Sequence, residues 1–386
     1  MRELFLQPEV QSFETFSGFA DAFSLGEGDL IITNEPVLPA FENEIPENVR
    51  VICTETYGKG EPSDVMFDAI QADLAKVSYS RVIAVGGGSA IDIAKALCAA
   101  DGRMMDELFE AAPEELKRTR TLICLPTTCG TGSEVTVTAV FDRTRKGTKM
   151  GLTNYALGTD YAILVPALLE SLPFTVFASS SIDALIHAVE SYLNCSQATI
   201  ASRMFAERAI TMILPIYRSI EENGPESRSG YLLDMQLASD FAGIAIANAL
   251  PSASHAMSYP FAGKFHRPHG EACYVFLNAT MEKYLRDVQA GKVSDEQKGV
   301  WRSFMKILSS ALDMDGVDDG ALIKELDRLL GCMLTRKSLK GYGATPEDCE
   351  GFGKSCYRDQ QRLMSCAFTA FTEEELIQAY QSVYEG

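Results

Sequence analysis

Histidine is scarce in this chain of 386 residues, with only four copies, and three of them (His255, His266 and His269) fall within 15 positions. The fourth, His187, stands four residues after Asp183 in the helical pattern SSSIDALIHAVESYL. That spacing puts the two side chains on one helix face, where they can share a ligand. Three imidazoles and a carboxylate (Asp183, His187, His255, His269) suit a divalent ion such as Fe2+, Zn2+, Mn2+ or Co2+. The plain alternative is a set of buried structural histidines, the commoner fate of a single His. His266, amid Lys264 and Arg267, reads as a surface residue.

A second set of residues suits an anion. The β-branched run RVIAV leads into Gly86, Gly87, Gly88 and Ser89, then into the apolar helix AIDIAKALCAA. Glycines at a strand-to-helix turn admit a phosphate to the backbone, and the helix start offers unpaired N–H groups and the positive end of its dipole. The spacing is not GxGxxG, and a simple tight turn is the alternative. A later segment, LPTTCGTGSEVT (125–136), is dense in hydroxyls and glycine and also follows a strand. It is either a second ligand loop or an ordinary polar connection. Two such loops at neighbouring strand ends point to a dinucleotide cleft.

The elements that must carry these residues change character along the chain. DLIITN (29–34), VRVICT (49–54), SRVIAVGGG (80–88) and RTLICLPT (120–127) read as strands, with a helix over 62–77 that Ser63 or Asp64 caps. VTVTAVF (135–141) and YAILVP (161–166) read as the last strands. Long helical patterns follow at 179–193, 204–217 and 229–250, and 372–386 reads as a closing helix. The expectation is an α/β domain with a parallel sheet (1–170), then an all-helical domain (171–386). Lys and Arg number 34 against 53 Asp and Glu, a net charge of −19. So acidic a chain is a poor partner for nucleic acid or an anionic membrane. No apolar run approaches the roughly 20 residues of a membrane span. The start, MRELFLQPEVQSFETF, lacks signal-peptide architecture, and none of ten cysteines forms a CxxC pair. A soluble, cytoplasmic protein is expected.

Four segments in order, AVGGGSAIDIAKAL, PTTCGTGSEVT, DALIHAVESY and HAMSYP with PHG, closely resemble the signature stretches of the iron-containing (group III) alcohol dehydrogenases. The resemblance runs over nearly the whole chain. It implies an N-terminal Rossmann-like dinucleotide-binding domain, a C-terminal helical metal-binding domain, a cleft between them and a homodimer. It also implies NAD and a divalent metal, Fe2+ ahead of Zn2+, held by Asp183, His187, His255 and His269. The pyrophosphate turn falls on Gly86, Gly87, Gly88 and Ser89, with Asp92 just inside the following helix. The nicotinamide-side hydroxyls fall on Thr127 and Thr128. Lys149 matches a lysine near the nicotinamide ribose, Thr138 a position often occupied by Asn, and Asn34 the adenosine end, where many members carry Asp. The stretches TNEPVL, YGKGEPSD, SSSIDALIHA, SYPFAGKFHRPHGEA and RDQQRLM carry a closer likeness, to members that interconvert 4-hydroxybutyrate and succinate semialdehyde.

One departure bears on proton movement. Many members have a second histidine where this chain has Tyr259, and a phenol with pKa about 10 cannot buffer a proton near neutrality. Tyr259 then orients substrate or ribose while water carries the proton, or it is simply part of the wall. A hydroxy acid or its aldehyde also needs a cation for its carboxylate, and Lys264, Arg267, Arg336 and Arg362 are the candidates. Competing expectations are a dehydrogenase of another primary alcohol, diol or short hydroxy acid, and, more remotely, a lyase like dehydroquinate synthase. The lyase needs a Lys/Arg phosphate clamp, of which so acidic a chain offers less, and a metal set with Glu and two His, where this sequence has Asp183 and three histidines.

Overall fold

The computed structural model describes residues 3–385. The chain forms two compact units, Leu6–Leu172 and Pro173–Gly386, the latter including Met1–Phe5. The sequence reading divides the chain at 170/171, and it gives the first residues to the other unit.

In the first unit, six strands form one parallel sheet in the order β1-β8-β5-β4-β2-β3. They are β1 (Glu9–Ser12), β2 (Asp29–Thr33), β3 (Arg50–Cys53), β4 (Arg81–Gly86), β5 (Thr121–Pro126) and β8 (Tyr161–Leu164). Leu30 to Ile32 and Val82 to Val85 are wholly buried, as central parallel strands covered on both faces must be. Helices α1 (Phe16–Ala22), α2 (Asp64–Leu74), α3 (Gly88–Ala100) and α4 (Met105–Glu110) complete the unit. Ser63 caps α2 by accepting from the Met66 N–H. One expected sheet strand lies elsewhere: β6 (Thr138–Arg143) pairs antiparallel with β7 (Thr148–Thr153) in a separate hairpin. Gly147, at φ 64°, supplies the left-handed residue that turns this hairpin.

The second unit is helical: α5 (Phe174–Leu193), α6 (Ile200–Asn223), α7 (Leu232–Ala249), α8 (Ala253–Phe265) and α9 (His269–Gln289) come first. Then follow α10 (Asp295–Ala311), α11 (Asp319–Met333), α12 (Pro346–Asp359), α13 (Gln361–Met364) and α14 (Glu373–Ser382). Helix α5 is apolar almost all round and packs against α6, α7 and α9. A helix of that kind belongs in the middle of a bundle. Among the described residues no helix is long and apolar enough to cross a membrane.

Candidate functional site

The helical unit brings the four expected metal donors together. Asp183 and His187 lie one turn apart on α5, His255 is in the first turn of α8, and His269 opens α9. Their donor atoms all lie within 4.8 Å of one another. Asp183 Oδ1 is 3.9 Å from His187 Nε2, 3.8 Å from His255 Nε2 and 3.9 Å from His269 Nε2. These spacings exceed hydrogen bonds and lie a few tenths of an ångström beyond the roughly 3.3–3.6 Å between donors around one tetrahedral ion with bonds of about 2.0–2.2 Å. His255 Nε2 is buried with no hydrogen-bond partner, which is how a nitrogen kept for a metal looks. The donor set therefore fits a divalent ion. Burial brings the His187 imidazole down to about 4, so it stands neutral at ordinary pH, as a ligand must.

Local structure fixes the donors tightly. A side chain on Gly270 would collide with the Ser179 carbonyl and stand 2.9 Å from Asp183 Cβ. Only glycine lets the start of α9 lie so close to α5, and this brings His269 to Asp183. Glu190, which the sequence reading missed, sits two turns after Asp183 on the same face of α5. Its Oε2 accepts from His255 Nδ1 at 2.8 Å and from the Ser252 N–H at 2.6 Å, and its Oε1 from the Ser254 N–H at 2.6 Å. Burial alone would push this carboxyl up, but His255 and the two N–H donors outweigh it and hold it below the usual range. An ionised Glu190 keeps the His255 proton on Nδ1 and leaves the Nε2 lone pair for a metal. The turn that delivers Ser252 and Ser254 passes through Leu250 at φ 63° and ψ 150°, a region that costs a non-glycine residue of order 1–3 kcal/mol. Cys273, also missed, lies one turn after His269 with its sulfur 3.9 Å from His269 Nε2. Burial raises this thiol, but His255 and His269 more than reverse that and bring it to about 7. The Tyr259 ring stacks near His269, with centroids 6.4 Å apart.

The α/β unit assembles the expected anion turn from three neighbouring strands. An added Cβ would meet Asn34 Oδ1 at 2.6 Å from Gly86, Thr128 Cγ2 at 3.4 Å from Gly87, and Thr131 Cγ2 at 2.9 Å from Gly88. The three glycines thus answer to crowding by residues that follow β2 and β5, because none of them has positive φ. Thr127 is buried, and its N–H donates to Gly86 O at 3.1 Å. Asp92 departs from the expected cofactor contact. Its Oδ1 accepts from Ser133 Oγ at 2.5 Å and its Oδ2 from the Val140 N–H at 2.8 Å, so the protein engages both oxygens. Lys95, fully buried one turn later, donates to Ser133 Oγ at 2.9 Å, Thr136 Oγ1 at 3.0 Å and Thr138 O at 2.8 Å. Asp92 and Lys95 pin the hydroxyl-rich loop and the β6–β7 hairpin to α3. On that hairpin Lys149 is paired with Glu61, and Thr138 Oγ1 lies 3.0 Å from Thr153 Oγ1.

Three of the four candidate cations already have carboxylate partners: Lys264 with Asp348 at 2.5 Å, Arg267 with Glu271 at 3.2 Å, and Arg336 with Asp327 at 2.5 Å. Arg336 lines a cavity of about 440 Å³ that includes none of the metal donors. Arg362 is exposed. Arg267 lies two residues before His269 and places its guanidinium 5.3 Å from the Tyr342 ring centre.

Residues 20–166 match the family model for iron-containing alcohol dehydrogenase, and residues 177–384 match that for the C-terminal part of the Fe-containing alcohol dehydrogenase family. The chain is 38% identical to the 4-hydroxybutyrate dehydrogenase of Clostridium kluyveri over 384 residues, covering 100% of both. It is 33% identical to long-chain-alcohol dehydrogenase 1 of Geobacillus thermodenitrificans, over 80% of this chain and 76% of that one. In fold it is similar to an alcohol dehydrogenase from Oenococcus oeni, with TM-score 0.83, 22% identity and 100% of each chain covered. The sulfoacetaldehyde reductase of Bifidobacterium kashiwanohense, solved with NAD+, gives TM-score 0.81 at 22% identity, over 99% of this chain and 98% of that one.

Proposed function

We infer that this chain, which belongs to the iron-containing alcohol dehydrogenase family, interconverts 4-hydroxybutyrate and succinate semialdehyde with NAD(H), using Fe2+ or, as a substitute, Zn2+. One observation carries the reading: all four metal donors converge in a chain that is 38% identical, end to end, to a 4-hydroxybutyrate dehydrogenase. When bound, the ion supplies Lewis acidity toward the substrate oxygen, and the nicotinamide ring gives or takes the hydride. The chain supplies position and charge. Asp183, His187, His255 and His269 would hold the ion, with Asp183 the one carboxylate among the donors, and Glu190 would favour the ligating tautomer of His255. Gly86, Gly87, Gly88 and Ser89 receive the pyrophosphate. Thr127, Thr128, Thr138 and Lys149 serve the nicotinamide side, with Asp92 as a positioning residue for their loop. Tyr259, beside His269, orients the substrate, and its phenol is a donor that does not store a proton at neutral pH.

The substrate carboxylate is assigned to Arg267, the candidate cation next to a metal donor in sequence. The reading extends to a homodimer and to the cytoplasm, where ten free thiols would stay reduced. The test follows NADH oxidation by the iron- and zinc-loaded protein with succinate semialdehyde, propanal and 3-hydroxypropanal, before and after chelation. Turnover of the semialdehyde that is lost to chelator and restored by Fe2+ is expected. Arg267→Met should raise KM for succinate semialdehyde at least tenfold, about 1.4 kcal/mol of lost charge-assisted bonding, and leave propanal unchanged. Efficient turnover of the uncharged aldehydes with none of the acid would replace this substrate by another primary alcohol.

A further inference from the structure

Dinucleotide folds place an acid at the end of the strand beside the glycine turn, where it takes the adenosine ribose hydroxyls. Here that neighbouring strand is β2, and the residue following it is the neutral Asn34. A carboxylate nevertheless stands at this spot. Glu55, two residues after β3, sends its side chain back across to the end of β2. Its Oε1 accepts from Asn34 Nδ2 at 3.2 Å, and its Oε2 from the Glu35 N–H at 2.9 Å and Thr54 Oγ1 at 3.2 Å. Asn34 Nδ2 also donates to Thr54 Oγ1 at 2.8 Å. With its nitrogen committed to Glu55 and Thr54, the Asn34 amide turns its oxygen toward Gly86, whose missing Cβ would lie 2.6 Å away. The end of β2 is thus lined by a charge and a lone pair, both acceptors, one residue row from the phosphate turn.

We propose that Glu55, reaching over from the adjoining strand, is the residue that makes this coenzyme site select NAD over NADP, with Asn34 as the arm that fixes its carboxylate. A ribose 2′-hydroxyl can donate to these acceptors. A 2′-phosphate, carrying about two negative charges, meets a carboxylate there instead. The inference rests on the dinucleotide reading above, so wild-type binding of 5′-AMP and NAD+ is measured first by calorimetry. No binding by the wild type would refute that reading and this assignment together. With binding in hand, the ratio of kcat/KM for NADPH to NADH, and of Kd for 2′,5′-ADP to 5′-AMP, is compared in Glu55→Gln and Glu35→Gln. Removal of one charge at this range should shift both ratios in Glu55→Gln toward the 2′-phosphate by at least about tenfold. Glu35→Gln, next to Asn34 in sequence and exposed, should change them less than about threefold. If Glu55→Gln fails to fold, Glu55→Asp, which draws the carboxylate back by one methylene, should give a smaller shift in the same direction. Unchanged ratios in the Glu55 variants, or the larger shift in Glu35→Gln, would overturn the assignment.

Discussion

Exchange of Glu190 for glutamine takes one charge from a buried position without removing any volume. In the native arrangement Glu190 accepts three hydrogen bonds, from His255 Nδ1 and the N–H groups of Ser252 and Ser254, and it is 3% exposed. A glutamine has one oxygen and a donor amide, so it cannot accept from all three. If its oxygen stays with the Ser254 N–H, its amide faces both the Ser252 N–H and His255 Nδ1, and the imidazole must carry its proton on Nε2. That tautomer cannot ligate. If the oxygen serves His255 instead, a buried N–H loses its acceptor at about 1–3 kcal/mol. The first outcome should weaken metal binding by about 10- to 100-fold, or roughly 1.4–2.7 kcal/mol, the range known for partners of metal-bound histidines. Competition against a chelating dye, with Zn2+ as probe, measures that constant directly and independently of turnover. Glu190→Gln binding Zn2+ within about twofold of the wild type, with unchanged thermal stability, would refute the assigned role.

Two further substitutions test how the sites are held. Gly270→Ala drives a methyl group into the Ser179 carbonyl and toward Asp183 Cβ. Displacement of α9 should cost about 1–3 kcal/mol in thermal denaturation and lower Zn2+ affinity, and an unchanged melting temperature would show that this approach is not tight. Lys95→Met takes a nearby cation from the buried Asp92, which keeps its Ser133 and Val140 donors, and strips donors from Ser133, Thr136 and Thr138, at about 3–5 kcal/mol in urea unfolding. Adding Asp92→Asn should restore part of that loss, and a strictly additive double mutant would show that the two groups are not coupled.

The metal donors were legible because rarity and spacing both work in the sequence: three scarce histidines, and one Asp at i, i+4 on a strongly periodic helix. The glycine turn could be nominated for a related reason, since a β-branched run that ends in three glycines before an apolar helix is either a phosphate turn or a plain tight turn. The β6–β7 hairpin was not. Its alternating pattern reads as a strand, but only the antiparallel pairing across Gly147 shows that it lies outside the parallel sheet. Strand β1 has four residues and too little pattern to announce itself.

Glu190 marks a deeper limit. The positions 183, 187 and 190 follow one face of α5, so periodicity alone could have nominated it as a neighbour of the donors. Its function, however, depends on N–H groups in a turn some 60 residues further on, delivered through Leu250 in a conformation that its residue type disfavours. Asp92 and Lys95 show the same limit from the other side. A polar residue just inside a helix after a glycine turn can face a ligand or the protein, and sequence periodicity does not say which. Burial decides it: both side chains turn inward to hold the hydroxyl loop. Donors that meet a metal are constrained by chemistry to a few residue types. The groups that hold those donors in place need only complementary hydrogen bonds, which many residue types and the backbone itself provide. For that reason the supporting layer is the part of a site that only three-dimensional structure reveals.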